Sequence, residues 1–167
     1  MTIAPTPHLD PRYGEPEASV MSWTEAEAAL TTAEIYWLSK VRPDGRVHVT
    51  PLIGLWLDGG PVFTTGAQEQ KADNLRHSPE VALTTGCNQL HGGTDLVVNG
   101  RAERMVDGDQ LQAVADAFLA KYGEEWRFDV GDGVLTNEGH PAQAFRVEPT
   151  TAYAFGKAPY SHTRWDF

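Results

Sequence analysis

Arg42-Pro43-Asp44-Gly45-Arg46-Val47-His48-Val49-Thr50-Pro51 is the stretch on which the fold turns. Its first four residues are turn chemistry: proline presets its own φ, and glycine is free to take positive φ. Upstream, Glu34 to Val41 contains Ile35-Tyr36-Trp37-Leu38, an aromatic and branched run that suits a strand. Downstream, Arg46 to Leu57 reads as a second strand, with Val47, Val49, Leu55 and Leu57 at period two. Pro51 and Gly54 interrupt it and predict a bulge or bend there. Asp58-Gly59-Gly60 then turns the chain into a third strand, Pro61 to Thr65. Two hairpins in succession make an antiparallel meander and not a βαβ unit.

Around this meander the other elements fall into place. Ser22-Trp23-Thr24-Glu25 is a capping box, and it predicts a short helix to about Leu30. Residues 1–20 are rich in Pro, Thr and Asp without periodicity and read as a loose, flexible arm, leaving 21–167 as a single domain. Gly66 to His77 is polar apart from Ala72 and Leu75, which suits a short helix. Val81–Thr85 and Leu96–Val106 are further strands joined by Gly86 to Gly93. Asp107 to Tyr122 places Leu111, Val114, Ala115, Phe118, Leu119 and Tyr122 on one helical stripe, and Gly123 supplies the stop. Glu124 to Gly139 reads as a long acidic loop. Ala144–Val147 and Thr151–Phe155 are two last strands separated by Glu148-Pro149-Thr150, before a tail that ends Thr163-Arg164-Trp165-Asp166-Phe167. The expected class is mainly β (α+β): six or seven antiparallel strands in a small barrel, with short helices closing its gaps.

Composition narrows function. The 167 residues carry 13 Lys and Arg against 23 Asp and Glu, a net charge of −10. That balance lacks the basic footprint of a nucleic-acid or anionic-membrane binder. No segment approaches the roughly twenty apolar residues of a membrane span, and Met1 to Pro16 has no signal-type apolar core. The single Cys87 cannot pair within the chain, which suits a reducing cytoplasm.

Several site classes are absent: no phosphate-binding Walker loop, no Gly-x-Gly-x-x-Gly after a strand, no His-Glu-x-x-His and no paired cysteines. The six histidines are not spaced as helical metal ligands. Cys87 with His91 reads more simply as a buried cysteine than as a dyad. The informative segment is Thr64-Thr65-Gly66 running into Gln68-Glu69-Gln70-Lys71-Ala72-Asp73-Asn74-Leu75. There, hydroxyls, free backbone N–H groups and one ammonium meet where a strand hands over to a helix, a recipe for a phosphate seat. An amphipathic surface helix after a hairpin has the same pattern.

The order of these pieces resembles the pyridoxamine 5'-phosphate oxidase-like, flavin-binding split-barrel superfamily and its deazaflavin-using actinobacterial branch. The matching pieces are Arg42 to Pro51, Gly54 to Gly59, Thr64-Thr65-Gly66 with Lys71 to Leu75, Ser78 to Leu83, and Val98-Asn99-Gly100-Arg101-Ala102-Glu103. The closing Thr163 to Phe167 is similar to a C-terminus of one branch, and the resemblance spans roughly 22–167. It implies a split-barrel homodimer with FMN or the deazaflavin F-420 in a groove between subunits. His48, Val49, Thr50 and Pro51 would lie along the ring. Thr64, Thr65, Gln70 and Lys71 would hold the phosphate, with the lysine as main cation. Asn74 would serve the helix or the cofactor's polyol edge. Trp165 would either line the ring or pin the tail to the core.

The implied activity is hydride transfer to or from a small conjugated molecule, carried by the cofactor and needing no obligatory catalytic side chain. His48 and Tyr36 are candidate proton donors, and the acidic loop 124–138 is a candidate lid. The alternative is a barrel that binds flavin, haem or another planar ligand without turnover. This chain departs from the pattern at Glu69-Gln70-Lys71, where many relatives carry Ser or Thr followed by Arg-Lys. A carboxylate thus stands beside the seat, and Arg46 or Arg76 is left to supply the missing charge. The open edges and exposed aromatics of a half-open barrel also call for a symmetric partner.

Overall fold

The computed structural model describes residues 4–167. The elements in order are β1 (His8–Leu9), α1 (Trp23–Thr32), β2 (Ile35–Val41), β3 (Val47–Ile53), β4 (Leu55–Leu57), β5 (Gly60–Thr65), α2 (Gln70–His77), β6 (Glu80–Thr85), β7 (Thr94–Met105) and α3 (Gly108–Tyr122). A 3₁₀ turn (Glu124–Trp126) follows, then β8 (Asp129–Val130), β9 (Leu135–Asn137), β10 (His140–Lys157) and β11 (Tyr160–Asp166). The helix starts are chemically determined. Ser22 Oγ accepts from the Glu25 amide at 3.3 Å while Glu25 accepts from the Ser22 amide at 3.0 Å, the reciprocal capping box. Asp107 caps α3 through the Gln110 amide at 3.0 Å, and Gly123 ends it at φ 84°.

All strand pairs are antiparallel, in the order β1-β11-β10-β7-β6-β2-β3. β10 organises the sheet. One edge pairs with β7 from Ala144 to Gly156, and the other pairs with β5 over Gln143–Arg146 and with β11 over Thr151–Lys157. Among the described residues hydrogen bonds do not close the barrel, because β3 pairs only with β2 and β4 only with β5. The chain bridges that opening at Gly54, as the bend predicted there requires. A Cβ at Gly54 would lie 3.1 Å from the Tyr36 ring.

Apolar side chains form two cores. Trp23, Leu30, Tyr36, Leu38, Phe63, Leu83, Val98, Val147 and Trp165 fill the barrel. The stripe of α3, Leu111, Val114, Ala115 and Phe118, packs on Leu55, Val62, Phe128, Leu135 and Ala144.

Four expectations change. Glu148-Pro149-Thr150 does not divide two strands; it is a bulge inside one 18-residue strand, at the register shift between Pro149 and Thr151. A proline without an N–H fits at such an irregularity. The stretch 124–139 is no free loop, since β8 and β9 form a hairpin carried by β10, with Phe128 and Leu135 buried. The tail is a full strand, β11. Finally, the described part of the arm is tied to β11. His8 and Leu9 pair with Arg164 and Thr163, the Asp10 amide donates to the His162 carbonyl (2.9 Å), and the Glu15 amide donates to the Tyr160 carbonyl (2.8 Å). The arm satisfies backbone groups that β11 would otherwise leave at an open edge. These short or late pieces raise the count from the expected six or seven strands to 11 among the described residues.

Candidate functional site

β5 ends at Thr65, the loop 66–69 turns the chain, and α2 starts at Gln70. Two residues in this turn set its geometry. The Gly66 amide donates to Glu69 Oε1 at 2.6 Å, and the Glu69 amide donates back to the Gly66 carbonyl at 3.0 Å. The other carboxylate oxygen of Glu69 meets the Lys71 ammonium. Burial opposes ionisation of Glu69, but the Lys71 ammonium and the Gly66 N–H outweigh it and hold the carboxyl below its ordinary range. Lys71 is largely enclosed, its side chain 15% exposed against 48% for Glu69.

Behind this turn lies a polar relay. Asn74 is wholly buried; its Oδ1 accepts from Gln70 Nε2 at 2.9 Å, and its Nδ2 lies 3.3 Å from His48 Nδ1. An amide nitrogen can only donate, so His48 Nδ1 accepts and the proton sits on Nε2. Burial, then the charges of Arg42 and Lys71, push the His48 pKa down and keep the ring neutral.

In front of the turn a cleft of about 670 Å³ opens, within the size range of small-molecule sites. Pro51, Leu52 and Ile53 of β3 form one wall, and Trp126, Phe128 and His140 form another. Thr64, Thr65, Gly66 and Lys71 close its polar end. An apolar cleft whose polar lining holds hydroxyls and the Lys71 ammonium, with the Glu69 carboxylate beside it, has the chemistry for a planar ring that carries an anionic tail.

The sequence-derived site residues therefore separate. Pro51, Thr64, Thr65 and Lys71 share the cleft, while His48, Gln70 and Asn74 form the relay beside it. Thr50 sits between the two groups on β3, its hydroxyl donating to the Pro51 carbonyl at 3.3 Å. Val49 points away, in an exposed strip on the outer face of β2 and β3.

Trp165 is fully buried, edge-on to Trp23 at 5.3 Å, so it pins the tail to the core and has no surface to offer a ligand. Tyr36 is buried with its hydroxyl donating to the Leu30 carbonyl, and burial pushes its pKa up, so it is not a proton donor to the cleft. The missing second cation is not supplied by either arginine proposed for it. Arg46 pairs with Asp44 (2.6 Å), and Arg76 with Asp73 (3.0 Å) and the Ala67 carbonyl (3.2 Å). The acidic stretch, a candidate lid, contributes Trp126 and Phe128 to the cleft walls. These aromatics were not singled out in the sequence; the alternation Trp126-x-Phe128 was the available signal. Among the described residues no cluster of His, Cys, Asp or Glu is arranged to hold a metal ion.

A family model described as pyridoxamine 5'-phosphate oxidase matches residues 22–156. No curated protein matches the chain. Solved structures share its fold at low identity. A heme binding protein from Mycobacterium smegmatis is 17% identical with a TM-score of 0.64, over 82% of this chain and 55% of that one. An FAD binding protein from the same organism is 16% identical with a TM-score of 0.59, over 88% and 99%. An F420 reductase is 23% identical with a TM-score of 0.54, over 75% and 94%.

Proposed function

The chain belongs to the pyridoxamine 5'-phosphate oxidase family, and from that premise we propose that it is an oxidoreductase using FMN or F-420 on a small conjugated molecule. The observation that carries this reading is the cleft itself: aromatic and aliphatic walls with Thr64, Thr65, Gly66, Glu69 and Lys71 in the same lining. A bound flavin or deazaflavin supplies the hydride chemistry. This chain's residues hold and orient it. Pro51, Leu52, Trp126 and Phe128 take the ring faces and exclude water. Lys71 with the two threonines takes the phosphate. His48, its pKa lowered by burial and by the Arg42 and Lys71 charges and its Nδ1 engaged by Asn74, offers an Nε2–H donor on β3.

A second copy completes the site in this reading. Ile35, Trp37, Val41, Val47 and Val49 are all substantially exposed, Val47 by 68%, on one face of β2 and β3. Pro51 and Ile53 continue that row to the cleft. An apolar strip reaching a binding cleft is the surface a symmetric partner covers. The reading extends to a reducing cytoplasm, supported by the free Cys87. Among the described residues no helix is long and apolar enough to cross a membrane.

Side-by-side titration with FMN, F-420 and haem is the direct test. Flavin or deazaflavin binding with a ring-reduction signal supports the oxidoreductase, whereas a Soret band without flavin affinity moves the site to planar-ligand binding. Lys71→Ala removes a charge-assisted contact of about 1.5–3 kcal/mol, so FMN affinity falls roughly 10- to 100-fold. Unchanged FMN affinity would place the phosphate elsewhere.

A further inference from the structure

The polar end of the cleft already contains an anion, and it belongs to the chain. Glu69 Oε1 takes the Gly66 N–H at 2.6 Å and Oε2 takes the Lys71 ammonium, with the Thr65 hydroxyl as a further neighbour. These are the donors that a ligand phosphate would need at this position. Neither arginine considered for the missing charge is available, since Arg76 is held by Asp73 and the Ala67 carbonyl and Arg46 by Asp44. Lys71 is enclosed while Glu69 is half exposed, so the carboxylate is the more solvent-facing member of the pair.

We propose that Glu69 is a built-in competitor for the phosphate seat, which a phosphate-bearing ligand must displace, so that the cleft discriminates against phosphate relative to the same ring without it. This rests on the reading above in taking the polar end of the cleft as the place for a ligand's phosphate. Displacement is mechanically simple. The carboxylate is exposed on one side, and swinging it into water breaks only its contacts to Gly66, Lys71 and Thr65. The Gly66 N–H and the ammonium then both face the ligand.

Glu69→Gln isolates the charge, because the amide oxygen still accepts from Gly66 and keeps the loop shaped while Lys71 is released. FMN and riboflavin share one ring and differ by the phosphate. The expected result is that Glu69→Gln tightens FMN by about tenfold and leaves riboflavin within about twofold, with Glu69→Ala in the same direction. Equal tightening of both flavins, or no change in FMN for a wild-type protein that binds it, overturns the competitor while leaving the flavin reading intact. Inorganic phosphate separates the two ideas further. If neither flavin binds, a rise in melting temperature with millimolar phosphate in Glu69→Gln but not in wild type upholds the competitor and removes the flavin. The absence of that rise as well overturns the competitor.

Discussion

The two faces of the β2–β3 hairpin reverse the usual order of a half-solvated sheet. Facing inward, Tyr36, Leu38 and Lys40 are buried, and the lysine is included only because its ammonium donates to the Ser78 and Glu80 carbonyls, the latter at 3.1 Å. Facing outward, where polar residues belong, are Ile35, Trp37, Val41, Val47 and Val49. Antiparallel sheets normally alternate apolar-in and polar-out. On the inner face Tyr36 and Leu38 are covered within one chain, and the Lys40 ammonium and the Tyr36 hydroxyl have backbone carbonyl partners. The outer face leaves its apolar groups exposed, which is the composition the proposed symmetric partner would cover. The contrast separates residues that specify the fold from residues that, under the proposal, specify assembly, although they alternate along the same strands.

The largest expected effect is on the inner face. Leu38→Ala leaves a cavity against Tyr36, Leu83 and the rest of the barrel core, at a cost of about 2–5 kcal/mol in unfolding free energy. Urea denaturation checks it, and a loss below about 1 kcal/mol would mean that this face is not the closed core described. On the outer face the effect moves from stability to association. Trp37→Glu should leave the stability of the isolated chain within about 1 kcal/mol while weakening self-association by about 2 kcal/mol or more, read by sedimentation across a concentration series. A wild type that sediments as a monomer at micromolar concentration breaks the comparison on its outer side.

What could be read without the structure divides along physical lines. The capping box at Ser22, the turns at Asp44-Gly45 and Gly59-Gly60, and the stripe of α3 are local signals, and each lands within a few residues of its element. The hairpin of β8 and β9 and the strand β11 are not local. Leu135 is buried because β10 lies beside it, and Trp165 because Trp23 at the far end of the chain stacks against it. The site divides in the same way. The segment 64–71 was legible from its residue types as a strand-to-helix handover that gathers hydroxyls and one ammonium. The direction of Glu69 was not, because it is set by the distance between the Gly66 amide and the Lys71 ammonium once the loop has closed.

The smallest effect is the most specific to the inner face. Burial depresses the pKa of Lys40 to about 8, from an ordinary value of 10.5, with the Glu80 charge opposing the shift. Below pH 8 the lysine is charged in both the folded and unfolded chains, and the desolvation penalty on the folded state is present in full. Between about 8 and 10.5 the folded chain has released its proton while the unfolded chain still binds one, so stability rises with pH. The slope approaches about 1 kcal/mol per pH unit at most, and it is measured below about pH 9.5, before tyrosines of the unfolded chain begin to ionise. Lys40→Met leaves the Ser78 and Glu80 carbonyls without that donor and lowers stability at neutral pH, so the absolute value does not discriminate. The slope does. It should flatten in the variant, retaining only the part due to Lys121, whose pKa burial also lowers. An undiminished rise in Lys40→Met would show that the ammonium reaches water, and that the inner face is less dry than its neighbours Tyr36 and Leu38 make it.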